Sequence, residues 1–254
     1  MEKGLFHDLY NRLGTFDTRF CPPEIQSCLL HGYLTVYSMV RVYPWLEEDF
    51  GLPGAIHERA KEIARLYFPR LNDVDEPVDV RVGYAADLMD VYQLYSDLCY
   101  LKAGLDAAYA LLMPGGRDRV LLPCRTPNVC RMLCNCYYFA EDKVCGELAG
   151  RLVTEALGYI RGGDRAALHA WWNTICLYDD VVGTMELTRE ERERLKEERA
   201  RLKICVEREE DAKIGLLCQA RQDADFSLVA EVFCILAKRE FEECNNGKRD
   251  RVNK

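Results

Sequence analysis

Two groups of residues in this chain have types and spacings that could carry chemistry. The first is Trp171-Trp172 followed by Tyr178-Asp179-Asp180. Aromatic faces stack on sugar rings, and a pair of carboxylates can supply the acid and base of glycoside hydrolysis. Because two of the acids are adjacent, a helix would point them about 100° apart rather than on either side of one bond. Capping and packing at a helix end explain the cluster without catalysis, so we predict no catalytic residue and treat these five as candidate partner-binding residues.

The second group consists of cysteines: Cys124, Cys130, Cys134, Cys136 and Cys145. Cys130 and Cys134 are four residues apart, so two thiolates on one helical face could share a metal ion. Zinc sites, however, use C-x-x-C turns that present sulfurs from loops, and no such pair or nearby histidine occurs here. The chain has 13 cysteines, and free cysteine behaves as a small hydrophobic residue. We therefore predict reduced core cysteines and no metal site.

Other sequence patterns do not indicate a cofactor. The four histidines are scattered and form no metal-binding motif. Gly115-Gly116 and Gly162-Gly163 are typical of turns, and neither pair is followed by the lysine of a phosphate-binding loop. We predict that the protein uses no cofactor.

The composition narrows the range of partners. A formal charge of −8 argues against a general nucleic-acid binder, which would present a basic face to phosphates. The 49% hydrophobic and 30% charged residues are typical of a folded soluble protein. No apolar run approaches the length of a membrane span, and the first 14 residues lack the apolar stretch of a secretion signal. These patterns predict a cytoplasmic protein that binds neither nucleic acid nor membrane.

Apolar residues recur at helical spacing along the whole chain, interrupted by proline, glycine and capping residues. This pattern predicts an all-α fold of nine or ten helices in a single domain, 1–254. We expect N-terminal helices within 1–71, a hairpin region at 83–183, a long charged helix and a C-terminal helix within 188–244, and a frayed tail at 245–254. The predicted helices are 1–14, 23–43, 53–68, 84–101, 105–113, 128–140, 143–160, 188–220 and 226–244, together with a helix that begins at Asp164 and runs through Cys176.

Two helix starts carry specific capping residues. Asp164 is a suitable N-cap for the helix that contains the tryptophan pair. Thr188 and Glu191 form a capping box at the start of the long charged helix. The charges of that helix nearly balance, which is typical of a solvated face, while its spaced apolar residues could also form a homodimer contact.

The hairpin region contains a recurring cysteine with a nearby aromatic residue. The recurrences are Leu98-Cys99-Tyr100, Cys136-Tyr137-Tyr138 and Cys176-Leu177-Tyr178. Their cysteines are roughly 37 and 40 residues apart, within the range of helical-hairpin repeats. The clearest unit spans 128–160, with Leu133, Cys136 and Tyr137 on its first helix and Ala149, Val153 and Ala156 on its second.

This unit resembles the tetratricopeptide family of helical-hairpin repeats, and the resemblance covers about residues 84–183. It implies a stacked-hairpin superhelix whose concave face binds a protein or peptide. An α/α toroid built from the same hairpins is equally compatible with the pattern, and some toroids are glycosidases. We therefore expect a non-catalytic protein that binds a protein or peptide partner. The alternative is an α/α-toroid hydrolase acting on carbohydrate, with Asp179 or Asp180 as its acid.

Overall fold

The computed structural model describes residues 2–112, 122, 124–220 and 224–252, and within them the chain is helical with no β-strand. The all-α prediction is therefore confirmed. The α-helices are α1 (Glu2–Leu13), α2 (Pro23–Val42), α3 (Glu47–Phe50), α4 (Pro53–Arg70), α5 (Val78–Tyr95), α6 (Leu98–Leu112), α7 (Pro127–Ala140), α8 (Lys143–Arg161), α9 (Arg165–Tyr178), α10 (Thr184–Glu186), α11 (Arg189–Ala220) and α12 (Phe226–Val252). Short 3-10 turns occupy Thr18–Phe20 and Pro44–Leu46, and a π-helix spans Asp179–Gly183.

The predicted capping interactions are confirmed. Asp164 accepts a hydrogen bond from the backbone N–H of Ala167 at 2.9 Å. The N–H of Glu191 donates to the Thr188 hydroxyl oxygen at 3.3 Å, and the N–H of Thr188 donates to Glu191 Oε2 at 2.9 Å. Each contact satisfies a donor that the first turn of a helix leaves unpaired.

The predicted boundaries of α5 and α6 are wrong. The sequence favours one helix over 84–101 with a break near Gly104, whereas the chain turns at Ser96, which has a φ of 56°. Gly104 lies inside α6 and is buried, and a Cβ added there would lie 2.8 Å from the carbonyl oxygen of Ala85 in α5. This glycine therefore permits close packing of two helices and does not end one.

Two helix ends also differ from the prediction. Helix α4 continues through Pro69 to Arg70. Proline has no N–H to bond to the carbonyl oxygen of Arg65, so the last turn loses one hydrogen bond, and the helix ends one residue later. Helix α12 ends at Val252, later than the predicted helix end at 244, while fraying of the tail stays a prediction. The predicted end of a helix at 113 and most of the loop that follows it lie outside the described residues.

The chain divides into two compact units, and the expected single domain over 1–254 stays a prediction. Unit 1 comprises Met1–Phe68 and Glu210–Lys254, and unit 2 comprises Pro69–Glu209. Within the described part of the chain, no helix combines the length and apolar character needed to cross a membrane.

Unit 1 is built around an aromatic cluster that joins α1, α2, α3 and α12. The ring of Phe233 lies 5.8 Å from that of Phe6 and 5.5 Å from that of Tyr33. Gly32 makes room for Phe233, since a Cβ at Gly32 would lie 2.3 Å from the ring. The glycine therefore lets α2 and α12 approach closely.

In unit 2, α5 and α7 run in the same direction. Near their starts, Arg131 Nη2 donates to the carbonyl oxygen of Gly83 at 3.2 Å. Near their ends, the rings of Tyr92 and Phe139 are 5.5 Å apart. The residue numbers rise together along both helices, as they do for the first helices of successive hairpins.

The pair α9 and α11 is antiparallel. His169 in the first half of α9 lies 3.8 Å from Glu209, late in α11. At the other end, Asp179 contacts Arg199, which is earlier in α11. Unit 2 therefore contains the successive hairpins α5–α6, α7–α8 and α9–α11.

Candidate functional site

The acidic pair singled out in the sequence lies where α9 passes into the π-helix Asp179–Gly183. A π-turn shifts the hydrogen bonds of a helix by one residue, and such turns are frequent at functional sites. The Thr184 hydroxyl donates to the carbonyl oxygens of Asp179 at 3.1 Å and of Asp180 at 2.6 Å. A side chain thus satisfies backbone acceptors that the irregular turn would otherwise leave unpaired.

The two carboxylates occupy different environments. Asp179 is 3% exposed, and its Oδ2 accepts a hydrogen bond from Arg199 Nη1. Asp180 is exposed, and its Oδ1 lies 3.2 Å from the same nitrogen. Although burial acts to lower the pKa of Arg199, the adjacent Cys176, Asp179 and Asp180 raise it above its ordinary value. One guanidinium therefore joins α11 to both acids.

The second oxygen of Asp179 has little space around it. Its Oδ1 is buried and has no hydrogen-bond partner among the described residues. A Cβ added at Gly183 would lie 3.3 Å from this oxygen and 3.2 Å from Leu187. The glycine keeps the turn compact, and the arrangement is typical of a carboxylate held inside a protein rather than offered to a substrate.

The aromatic residues of the predicted partner-binding group are also mostly buried. Trp171 is 9% exposed and Tyr178 is 6% exposed, while Trp172 is half-buried. Burial raises the pKa of Tyr178 to about 12. A Cβ on Gly150 would lie 2.8 Å from the Tyr178 hydroxyl, so this glycine accommodates the ring. The structure brings Tyr178 and Asp179 together in the interior and leaves only Asp180 fully exposed.

The cysteine group lies mainly in the core between α7 and α8. Cys130, Cys134, Cys136 and Cys145 are fully buried, and Cys124 is half-buried; each of these thiols is free. A hydrogen bond with Cys130, together with burial, raises the pKa of Cys134 well above its ordinary value. Within the described part of unit 2, no three Cys, His, Asp or Glu side chains place ligand atoms within 4.8 Å of one another.

The three regularly spaced cysteines do not occupy matching positions in the helices. Cys99 lies exposed in the first turn of α6, the second helix of its hairpin. Cys136 and Cys176 lie instead on α7 and α9, the first helices of theirs. These three positions are therefore not equivalent.

Three helix-connecting turns share a capping arrangement that the sequence analysis did not identify. Two-residue turns connect α5 to α6, α7 to α8 and α10 to α11: Ser96-Asp97, Glu141-Asp142 and Leu187-Thr188. In each turn the second residue caps the next helix by accepting a backbone N–H, at 3.1, 3.3 and 3.3 Å. The first residues of the first two turns, Ser96 and Glu141, are the only non-glycine residues with positive φ in the described chain. The spacing of the capping residues could have indicated this similarity from the sequence, since Asp97 and Asp142 are 45 positions apart and Asp142 and Thr188 are 46 apart.

These turns lie together because the first helices of the hairpins run in the same direction. Tyr137 near the end of α7 donates a hydrogen bond from its hydroxyl to Glu186 Oε1 of α10 at 2.6 Å. The contact of Tyr92 with Phe139 joins the ends of α5 and α7 in the same way. The C-terminal end of α7 therefore lies next to the end of α5 on one side and next to α10 on the other.

We call this surface the turn edge. It displays exposed apolar side chains and an excess of acidic over basic residues. The apolar residues are Leu98 (67% exposed), Tyr138 (55%), Val144 (48%) and Met185 (74%). The acidic residues are Asp97, Glu141, Asp142 and Glu186, and the basic residues of the same turns are Lys143 and Arg189.

No protein-family model, curated protein or solved structure matches this chain.

Proposed function

We propose that the protein is a non-catalytic binding module that takes a basic, amphipathic peptide segment of a partner protein at the turn edge. The observation that carries this proposal is the presence of four exposed apolar side chains at the ends of three adjacent hairpins. Contiguous exposed apolar residues bordered by polar ones are typical of protein-interaction surfaces. The acidic border favours a partner that carries lysine or arginine beside its apolar residues.

The backbone of the turn edge supports this choice. Ser96 and Glu141 adopt the left-handed conformation, which costs a non-glycine residue about 1–2 kcal/mol. Backbone strain of this kind is concentrated at binding and catalytic sites. In these two turns the strained residue stands next to an acidic N-cap, so each turn presents its carboxylates in a fixed direction.

The five residues predicted from sequence suit partner binding less well. Trp171 and Tyr178 are buried, and Asp179 is held by Arg199. The same burial does not favour carbohydrate hydrolysis, since a catalytic acid must reach the substrate. Asp180 is accessible, but it shares the Arg199 guanidinium with Asp179. We therefore place the interaction surface at the turn edge.

A random peptide library displayed on phage tests the proposal. Peptides selected on the wild-type protein are expected to combine lysine or arginine with aliphatic or aromatic residues. Their affinities are then measured by fluorescence polarisation for the wild type and for the double variant Leu98→Ser/Met185→Ser. Each truncated apolar contact is expected to cost about 1–2 kcal/mol, so the double variant binds at least about tenfold more weakly.

Val74→Ser provides a matched control, because Val74 is 84% exposed in the segment before α5 and lies outside the turn edge. This variant is expected to bind the selected peptides as the wild type does. The proposal is rejected if the two variants lose affinity equally, or if acidic peptides are selected as often as basic ones.

A further inference from the structure

One carboxylate of the turn edge is held in position by another side chain. Glu186 is exposed at the end of α10, and its Oε1 accepts a hydrogen bond from the Tyr137 hydroxyl at 2.6 Å. This hydrogen bond is the largest of the effects that raise the pKa of Tyr137 to about 12, and burial and the charges of Glu186 and Glu141 add to it. The hydroxyl therefore stays protonated at neutral pH and remains a donor to Glu186.

The Tyr137 ring is itself fixed by packing. Gly146 of α8 faces the ring, and a Cβ added at this glycine would lie 2.6 Å from Tyr137 Cδ2. The ring therefore lies directly against the backbone of α8, and the hairpin α7–α8 sets the position of its hydroxyl. Because the Glu186 side chain is ordered before a partner arrives, less binding energy is lost to ordering it.

The other acidic residues of the turn edge are less suited to pair with a cation of the partner. Asp97 and Asp142 each accept a backbone N–H through Oδ1, and the positive end of the helix that each one caps offsets part of its charge. The backbone of Glu141 is fixed by its turn, but its exposed side chain makes no hydrogen bond or ion pair with a described residue. Binding through Glu141 would therefore cost the rotamer freedom of a long side chain.

The charge of Glu186 is not neutralised within the protein. Neither Lys143 nor Arg189, the basic residues of the same turns, forms an ion pair with it, and no other described residue does so. Exposed apolar side chains lie next to this contact along the chain, since Met185 precedes Glu186 and Tyr138 follows Tyr137. A partner that covers these apolar residues also excludes water near Glu186, and a charge pair is stronger where water is excluded.

We infer that Glu186, positioned by Tyr137, receives the basic side chain of the partner peptide and thereby determines the charge that the turn edge selects. This inference rests on the proposed function, because it assigns a role within the same surface. The apolar residues supply the contact area, and Glu186 supplies the preference for a cation.

A double-mutant cycle between protein and peptide tests the inference. Each lysine or arginine of a peptide selected on the wild-type protein is replaced in turn by glutamine, and affinities are measured by fluorescence polarisation. Glu186→Gln keeps an oxygen that accepts the Tyr137 hydrogen bond but removes the charge, and it is expected to weaken binding of the original peptide at least about fivefold. For one of the glutamine-substituted peptides Glu186→Gln should cause no further loss, because the pair is already broken.

Glu141→Gln is the matched control, since it removes the same charge from the same edge. We expect it to weaken binding less than about twofold, because an exposed side chain with no fixed position contributes little. Tyr137→Phe keeps the ring against Gly146 and removes only the hydroxyl. It should weaken binding about threefold for the original peptide and leave the affinity of the peptide that lacks the critical basic residue unchanged. A purely structural role of Tyr137 would weaken both peptides alike.

The outcomes separate this inference from the proposed function. Equal losses in Glu186→Gln and Glu141→Gln, or additive losses for every pair of protein and peptide substitutions, would overturn the inference. If Leu98→Ser/Met185→Ser still weakens binding in that case, the proposed function stands without it. If no peptide is selected, or if the selected peptides do not depend on Leu98 and Met185, the proposed function is rejected and the inference with it.

Discussion

Asp179 and Asp180 are neighbours in sequence, but truncating them to alanine should have very different effects on the stability of the protein. The Asp179 side chain is 4% exposed and pairs with Arg199, whose side chain is 24% exposed. The Asp180 side chain is 69% exposed and lies 3.2 Å from the same guanidinium. The paired variants Asp179→Ala and Asp180→Ala therefore compare an interior ion pair with a surface one at the same arginine.

The magnitudes follow from burial. Removing one partner of a buried ion pair costs about 3–5 kcal/mol, because the remaining charge stays buried without compensation. Arg199 retains some contact with water, so we expect the lower end, about 3 kcal/mol, for Asp179→Ala. A surface pair contributes about 0–1 kcal/mol, so Asp180→Ala should cost less than about 1 kcal/mol.

The assay is equilibrium unfolding in urea, followed by tryptophan fluorescence and far-ultraviolet circular dichroism. Trp171 and Trp172 lie in α9, on the helix that leads into the acidic pair, and report on this part of unit 2. The double variant Asp179→Leu/Arg199→Met removes both buried charges and should recover most of the stability lost in Asp179→Ala. Equal costs for the two alanine variants, or no recovery in the double variant, would refute the interior ion pair.

Three further tests, which use five substitutions, address other parts of the fold. In the turn between α7 and α8, Glu141→Gly should raise the free energy of unfolding by about 0.5–1 kcal/mol because it relieves a positive φ of 53°. Glu147→Gly, within α8, should instead lower the free energy of unfolding by about 1 kcal/mol. If urea unfolding shows that both variants are more stable than the wild type, or that both are less stable, the proposed turn geometry is contradicted. Gly104→Ala should destabilise unit 2 by about 1–3 kcal/mol, since its Cβ would meet a backbone carbonyl, whereas Gly158→Ala, with open space around it, should be neutral or stabilising. A similar denaturation midpoint for both alanine variants would argue against the close approach of α5 and α6. Burial raises the pKa of Tyr33 to about 12, so the folded state holds the hydroxyl proton more tightly than the unfolded chain does. The free energy of unfolding should therefore fall as the pH rises from about 10 to 12. The loss of unfolding free energy between pH 9 and pH 11 should be smaller in Tyr33→Phe than in the wild type. An equal loss in both proteins would show that the titration of Tyr33 does not contribute.

Local interactions made several helix boundaries predictable. Thr188 and Glu191 satisfy each other within three residues, and Asp164 caps α9 over the same distance. A residue at such a position needs no partner from elsewhere in the chain, so its type and spacing suffice. The regular apolar spacing likewise predicted the all-α class.

The break predicted near Gly104 is wrong because the local sequence does not determine the role of this glycine. A glycine inside an apolar pattern is compatible with a helix end or with a close contact, and only the position of Ala85 in α5 distinguishes the two. Ser96, which does end α5, has no sequence feature that requires a left-handed conformation. The similarity of the three turns was missed for a related reason: it is marked by capping residues at the turns, while the recurring cysteines lie on non-equivalent helices.

The amino-acid sequence by itself determined the helical class, the capped starts of α9 and α11, and the acidic charge that disfavours nucleic acid. Only the tertiary structure decided that Asp179 is buried against Arg199 while Asp180 faces solvent. It also decided that Tyr138 and Met185, 47 positions apart, share one exposed edge. The physical reason is the range of the interactions: capping and helical periodicity act within about four residues, whereas burial and shared surfaces depend on which helices pack together.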